Sequence, residues 1–187
     1  MQENQATAAR ENIMGTMDIN PLLVKLSVPM MVSMLVQALY NVVDSVFVSH
    51  VSESALTAVS LAFSLQNVMI AVGVGTGVGV NALLSKSLGE KNQERANRTA
   101  QNGIFLAFCS FAVFFLIGLT CMRPYFYAQT SDAEIAEQGI RYLRVCSLFS
   151  LGLFLQTMSE KLLAATGRTH LSMISQLIGA VINIILD

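Results

Sequence analysis

Five apolar runs, at approximately 26–48, 55–84, 103–122, 142–165 and 171–187, alternate with short polar connectors along the chain. The connectors read "SHVSES", "SKSLGEKNQERANR", "RPYFYAQTSDAEIAEQG" and "TGRTH". A bilayer-spanning helix needs about 20 mostly apolar residues, so the pattern predicts four membrane spans and a fifth that stops at Asp187 in mid-pattern. That ending, "VINIILD", has no cap, glycine or polar flank, and it points to a longer protein. Short connectors between long helices imply antiparallel neighbours. The expected fold is therefore an all-α, polytopic membrane helical bundle over residues 21–187, preceded by a polar tail at 1–20.

Composition sharpens this picture. The 187 residues are 53% hydrophobic and only 12% charged, with a mean hydropathy of +0.58, where soluble domains carry about 25% charged residues. A net charge of -1, with no clustered basic face, sets nucleic-acid binding aside. The tail lacks the apolar core and cleavage site of a signal peptide. Alternate connectors share a side of the membrane. One side collects Arg10, Lys25, Lys86, Lys91, Arg95, Arg98, Lys161 and Arg168, against Arg123, Arg141 and Arg144 on the other. The positive-inside rule then predicts a cytoplasmic N-terminus in a multi-pass protein of the cell membrane. The second connector is helix-prone and suits a short surface helix; the third, with Asp132, Glu134 and Glu137, reads as a solvated acidic loop. Cys109, Cys121 and Cys146 lack the spacing of a metal or redox motif and read as small buried hydrophobes.

Polar residues inside the runs carry the candidate chemistry. At about 100° per residue, Ser33, Gln37, Asn41 and Asp44 fall within roughly 80° of one another and form one stripe on the first helix. A carboxylate facing hydrocarbon costs about 2.5 kcal/mol or more, so the stripe should face the bundle interior or a wet cavity. The alternative is a position near the outer interface, where Asp44, about 27 Å along from Leu26, caps a neighbouring helix. The fifth run repeats the pattern: Gln176, Asn183 and Asp187 share a stripe, with Asn183 one turn before Asp187 as Asn41 precedes Asp44. Both runs point the same way, and Asp187 lies about 24 Å along from Leu171, at nearly matched depth. Two Asn-plus-Asp pairs lining one chamber can take up a proton or hold Na⁺, because low-dielectric surroundings favour neutralising a carboxylate.

The second run carries Gly73, Gly75, Gly77 and Gly79. A dinucleotide fingerprint would need glycine where Val78 or Val80 stands, so nucleotide binding is set aside. Two overlapping Gly-x-x-x-Gly pairs instead allow close approach of another helix, as static packing or as a bendable segment. Pro29 belongs with these packing or flexing positions. Near the inner end of the fourth run, Glu160 shares a stripe with Gln156 and is a candidate for a cavity or gate, together with Gln37 and Gln176. Adjacent helical residues do not face each other, so Lys161 is expected to snorkel toward the cytoplasm rather than pair with Glu160. The ten methionines read mostly as gap-filling side chains.

The segments "MGTMDINPLLVKLSVPMM", "QALYNVVDSVFVS", "ALTAVSLA", "GVGTGVGVNALLSKSLGEKN", "EKLLAATGRT" and "NIILD", in this order and spacing, resemble the multidrug and toxic compound extrusion (MATE) family of transporters from about Met14 onward. The resemblance implies two six-helix lobes that alternate between outward-open and inward-open states, with this chain supplying most of the N-terminal lobe. It also implies export of bulky, often cationic organic molecules driven by H⁺ or Na⁺, with no cofactor and with membrane lipid and a C-terminal lobe as partners. The family's coupling-ion residues match Asp44, Asn183 and Asp187, which the stripes select independently. No metal is implied beyond Na⁺ at those residues. The family's fourth-helix polar position, often Asn, has no obvious counterpart here, and Glu160 or its neighbours occupy that region. Half a transporter is not expected to transport by itself.

Other classes fit less well. An intramembrane aspartyl protease would show Tyr-Asp and Gly-x-Gly-Asp at its catalytic pair, whereas Val43 precedes Asp44 and Leu186 precedes Asp187; no enzyme is expected. A lipid-linked saccharide flippase of related architecture is the alternative reading; it would be expected to carry more basic residues in its cavity. A purely structural subunit would have no use for two carboxylate stripes.

Overall fold

A computed structural model describes residues 17–186, apart from the side chains of Tyr40, Asp44, residues 48–51, Asn183, Ile184 and Leu186. The described residues fold as an all-α bundle. Its helices are α1 (Ile19–Val51), α2 (Glu53–Gly89), α3 (Gln93–Thr120), α4 (Met122–Gln129), α5 (Ala133–Leu148), α6 (Ser150–Ala165) and α7 (Thr169–Leu186). In hydrocarbon every backbone N–H and C=O must be satisfied within the segment, which leaves the helix as the available form. Hydroxyls in the apolar stretches follow the same rule by donating to the carbonyl four residues back: Ser60 to Leu56 at 2.8 Å, Thr76 to Val72 at 2.7 Å and Thr120 to Leu116 at 2.8 Å. Among the described residues, Ile19–Phe47, Glu53–Gly89 and Gln93–Thr120 are long and apolar enough to cross a membrane.

Helix α2 is the axis of the bundle, packing on α1, α3, α5 and α6. Three buried clusters lie along it. At one end Ala62 meets Met122, Phe126, Ala136, Ile140 and Leu143. Met69 meets Ala107, Phe114, Phe154 and Met158 in the middle. Leu84 meets Ala96 and Ala165 at the other end. Helix α1 is mostly exposed and packs chiefly against α7, so these two form a pair set against the α2–α6 body.

Turn chemistry accounts for the sharp reversals. After α2, Lys91 takes φ 56° while the Lys91 N–H donates to Leu88 O and the Asn92 N–H to Ser87 O, both at 3.0 Å. After α6, Gly167 takes φ 75° with the same paired bonds, Gly167 to Ala164 and Arg168 to Leu163, both at 3.0 Å. This is the paired 6→1 and 5→2 closure that a left-handed residue permits. Asn92 then caps α3 by accepting from the Arg95 N–H at 3.0 Å.

Several expectations change. The second connector holds no separate surface helix: α2 runs on to Gly89 and α3 starts at Gln93, so most of its charges sit on the ends of spanning helices. There Glu90 pairs with Lys86 at 3.9 Å and with Arg95 at 3.4 Å, exposed contacts worth about 0–1 kcal/mol each. The third connector is not a loop. It folds as α4 and the start of α5, and Asp132 is the cap of α5, accepting from the Glu134 and Ile135 N–H groups at 2.8 and 3.4 Å. The fourth run is not one helix either: it breaks at Phe149, where the Ser150 hydroxyl covers the Ser147 carbonyl at 2.8 Å. Cys109 and Cys121 are exposed, so they are not core residues, while Cys146 is half-buried on the face of α5 that meets α2, its Sγ accepting from Gln66 Nε2 at 3.6 Å.

Candidate functional site

A cavity of about 520 Å³ opens where the α1/α7 pair meets α2 and α6. This size falls within the roughly 300–1,000 Å³ of small-molecule sites. Its polar lining is Ser33 and Gln37 from α1, Gln156, Thr157, Glu160 and Lys161 from α6, and Thr169, Ser172 and Gln176 from α7. A second cavity of about 460 Å³ lies in the α6/α7 crevice and shares Gln156, Glu160, Ser172 and Gln176 with the first. These four polar side chains line both spaces. Gln37, Glu160 and Gln176, three positions picked from stripes on three separate helices, line one cavity.

The charged centre of the lining is an adjacent pair. Lys161 Nζ lies 3.3 Å from Glu160 Oε1, with the two side chains 21% and 29% exposed. The expectation that Lys161 snorkels away from Glu160 is thus corrected. Its stem crosses α2 at Gly77, where a Cβ would come within 2.8 Å of Lys161 Cγ, and from there the ammonium swings back to its neighbour. The rule that adjacent residues diverge applies to Cβ directions; four methylenes are enough to cancel it. Asn81 fixes the register by donating Nδ2–H to the Lys161 carbonyl at 2.7 Å. One turn up, a Cβ at Gly73 would meet the Phe154 ring at 3.4 Å. Gly73, Gly77 and Asn81 thus make the face of α2 that receives α6. Gly75 and Gly79 meet nothing within 4 Å among the described residues. Gly77→Ala is accordingly expected to lower the melting temperature in detergent while Gly79→Ala leaves it unchanged or raises it, since Ala is worth up to about 1 kcal/mol more than Gly in a helix. Equal melting of the two variants would contradict this packing.

Pro29 sits inside α1 and is half-buried; its carbonyl accepts the Ser33 hydroxyl at 3.0 Å. Asn41 is exposed and outside the lining, with its carbonyl taken by the Ser45 hydroxyl at 2.8 Å. The side chains of Asp44 and Asn183, and all of Asp187, lie outside the described residues. Sequence reasoning missed Asn81, Thr157, Thr169 and Ser172. The signal was available: Asn81 continues the Gly73, Gly77 spacing, and Thr169, Ser172 and Gln176 follow one face of α7.

Known proteins resemble this chain over most of its length. A probable multidrug resistance protein NorM of Thermotoga maritima is 26% identical over 175 residues, covering 91% of this chain and 37% of the relative. Multidrug and toxin extrusion protein 2 of Mus musculus is 32% identical over 126 residues, 66% of this chain and 22% of the relative. Among solved structures, the MATE multidrug transporter DinF-BH superposes with a TM-score of 0.87 at 29% identity, over 92% of this chain and 39% of that one. The chain thus spans less than two fifths of the length of these relatives. The MatE family model matches residues 29–187, nearly all of the helical body, and the chain belongs to this family of multi-pass membrane transporters.

Proposed function

We propose that the whole protein exports bulky organic cations from the cell by antiport against H⁺ or Na⁺, with this chain supplying one wall of the pathway and the N-terminus on the cytoplasmic side. The observation that carries the reading is the cavity of about 520 Å³ in which α1, α6 and α7 each place polar side chains around a carboxylate, Glu160. Polar side chains inside a membrane bundle are costly and gather where substrates or ions pass. Amides and hydroxyls supply neutral contacts, and apolar lining such as Met30, Met34 and Ile70 supplies adaptable surface for the organic body. Asp44, with Asn41, Asn183 and Asp187, is the proposed coupling-ion site, on the strength of the two sequence stripes. Neutralising those carboxylates would favour one conformation over the other, since an ion that binds both states equally shifts nothing.

The test is ethidium efflux from cells expressing the full-length protein, with the proton and sodium gradients collapsed separately. Loss of efflux on collapsing one of them identifies the coupling ion. Efflux that survives the collapse of both overturns antiport.

A further inference from the structure

We propose that Lys161 is a tethered counter-cation, occupying Glu160 in the empty cavity, and that a cationic guest must displace it. The proposal rests on the reading of the cavity as a cation site and adds what sets its charge selectivity. Glu160 is the one carboxylate and Lys161 the one cation among the described lining residues. Paired at 3.3 Å, they leave that wall with no net charge. Exposures of 21% and 29% mean that both heads still reach the cavity, so the pair is open to exchange.

The tether is built by the neighbouring helix. Gly77 leaves room for the lysine stem, because any Cβ at position 77 would fall within 2.8 Å of its Cγ. The Asn81 amide holds the Lys161 carbonyl at 2.7 Å. With its stem held and its head paired to the preceding residue, the ammonium stands where a guest's positive charge would have to go. An incoming cation exchanges for the ammonium with charge conserved, so its affinity reflects the difference between two cations at one carboxylate rather than the whole attraction. The lysine thereby keeps small cations from saturating the site, and it favours guests whose apolar body adds contacts with the rest of the lining.

The test uses two probes of nearly equal shape and opposite charge, tetraphenylphosphonium and tetraphenylborate, bound to the full-length protein in lipid nanodiscs. Lys161→Met keeps an apolar stem over Gly77 and removes the charge. It is expected to tighten the phosphonium about tenfold and to weaken the borate, as one uncompensated carboxylate in a partly hydrated site requires. Glu160→Gln should do the reverse. A merely structural lysine would move both probes in the same direction or neither, and that result for Lys161→Met overturns the proposal. If Glu160→Gln still weakens the phosphonium in that case, the cation-site reading stands. Phosphonium binding by neither the wild type nor any variant removes both.

Discussion

Gly139→Ala is expected to lower the melting temperature by several degrees, and Gly139→Val to remove the folded protein. A Cβ at Gly139 would overlap the Phe126 ring, which is 0% exposed and enclosed by Met122, Ala136, Ile140 and Leu143. With Phe126 fully buried among these neighbours, the added methyl is expected to push α5 away from α4. Overpacking of this kind costs about 1–3 kcal/mol for the smallest change, and each kcal/mol is worth about 2–4 °C in a chain of this size. A branched side chain pushes further into the same ring, against a total stability of about 5–15 kcal/mol. Gly152 and Gly179 meet nothing within 4 Å among the described residues, so Gly152→Ala and Gly179→Ala serve as controls that should melt at or above the wild-type temperature. Phe126→Leu should partly rescue Gly139→Ala, because the coupling between touching residues is what a double-mutant cycle isolates. If Gly139→Ala melts with the wild type, α4 and α5 do not pack as described.

That contact also shows where the sequence could and could not be read. The connector containing α4 is rich in aromatic and charged residues, with Pro124 near its start, and this composition reads as a loop. Pro124 falls in the first turn of α4, where backbone N–H groups have no intrahelical partner in any case, so it does not oppose the helix. The apolar positions Ala136, Gly139, Ile140 and Leu143 already follow helical spacing; the acidic residues around them simply occupy the other face. The glycine run shows a different limit. Spacing yields two equivalent faces, Gly73/Gly77 and Gly75/Gly79, and only the docking of α6 at Phe154 and Lys161 decides between them.

Part of the cavity is legible for a more general reason. A polar side chain on an apolar helix is costly unless it meets others, so the stripes of the first and fifth runs are expected to share a chamber; Gln37 and Gln176 from those stripes line one cavity, joined there by Glu160, while Asn41 stays outside it. Lys161 departs from its expected course because a rule about Cβ directions does not bind a side chain long enough to escape it. The break at Phe149 left no apolar gap in the fourth run, since Ser147 and Ser150 are small and Leu148 and Phe149 between them are apolar.

Asp44→Asn in the full-length protein is expected to reduce ion-driven dye efflux at least tenfold while leaving membrane insertion intact. Asn matches Asp in size, so packing is preserved, and removing a carboxylate from an apolar helix lowers the cost of insertion, which is about 2.5–3.5 kcal/mol for such a charge at a helix centre. What the amide lacks is the ability to exist in two charge states. In the proposed cycle that ability is the whole of the coupling. Turning a population of 1:99 into 99:1 takes a preference of about 5.5 kcal/mol, or about 10⁴-fold in affinity, and exchanging an ionised for a neutralised carboxylate in a low-dielectric setting is among the few local events that large. Gln37 lies seven residues before Asp44 on the same stripe, about 10 Å along α1, and lines the cavity, so α1 is the element through which an ion and a guest would act on each other. Asp44→Glu keeps the charge on a longer stem and should retain part of the efflux. Dye export by Asp44→Asn at the wild-type rate under an ion gradient would take Asp44 out of the mechanism and leave Glu160 as the carboxylate to test next.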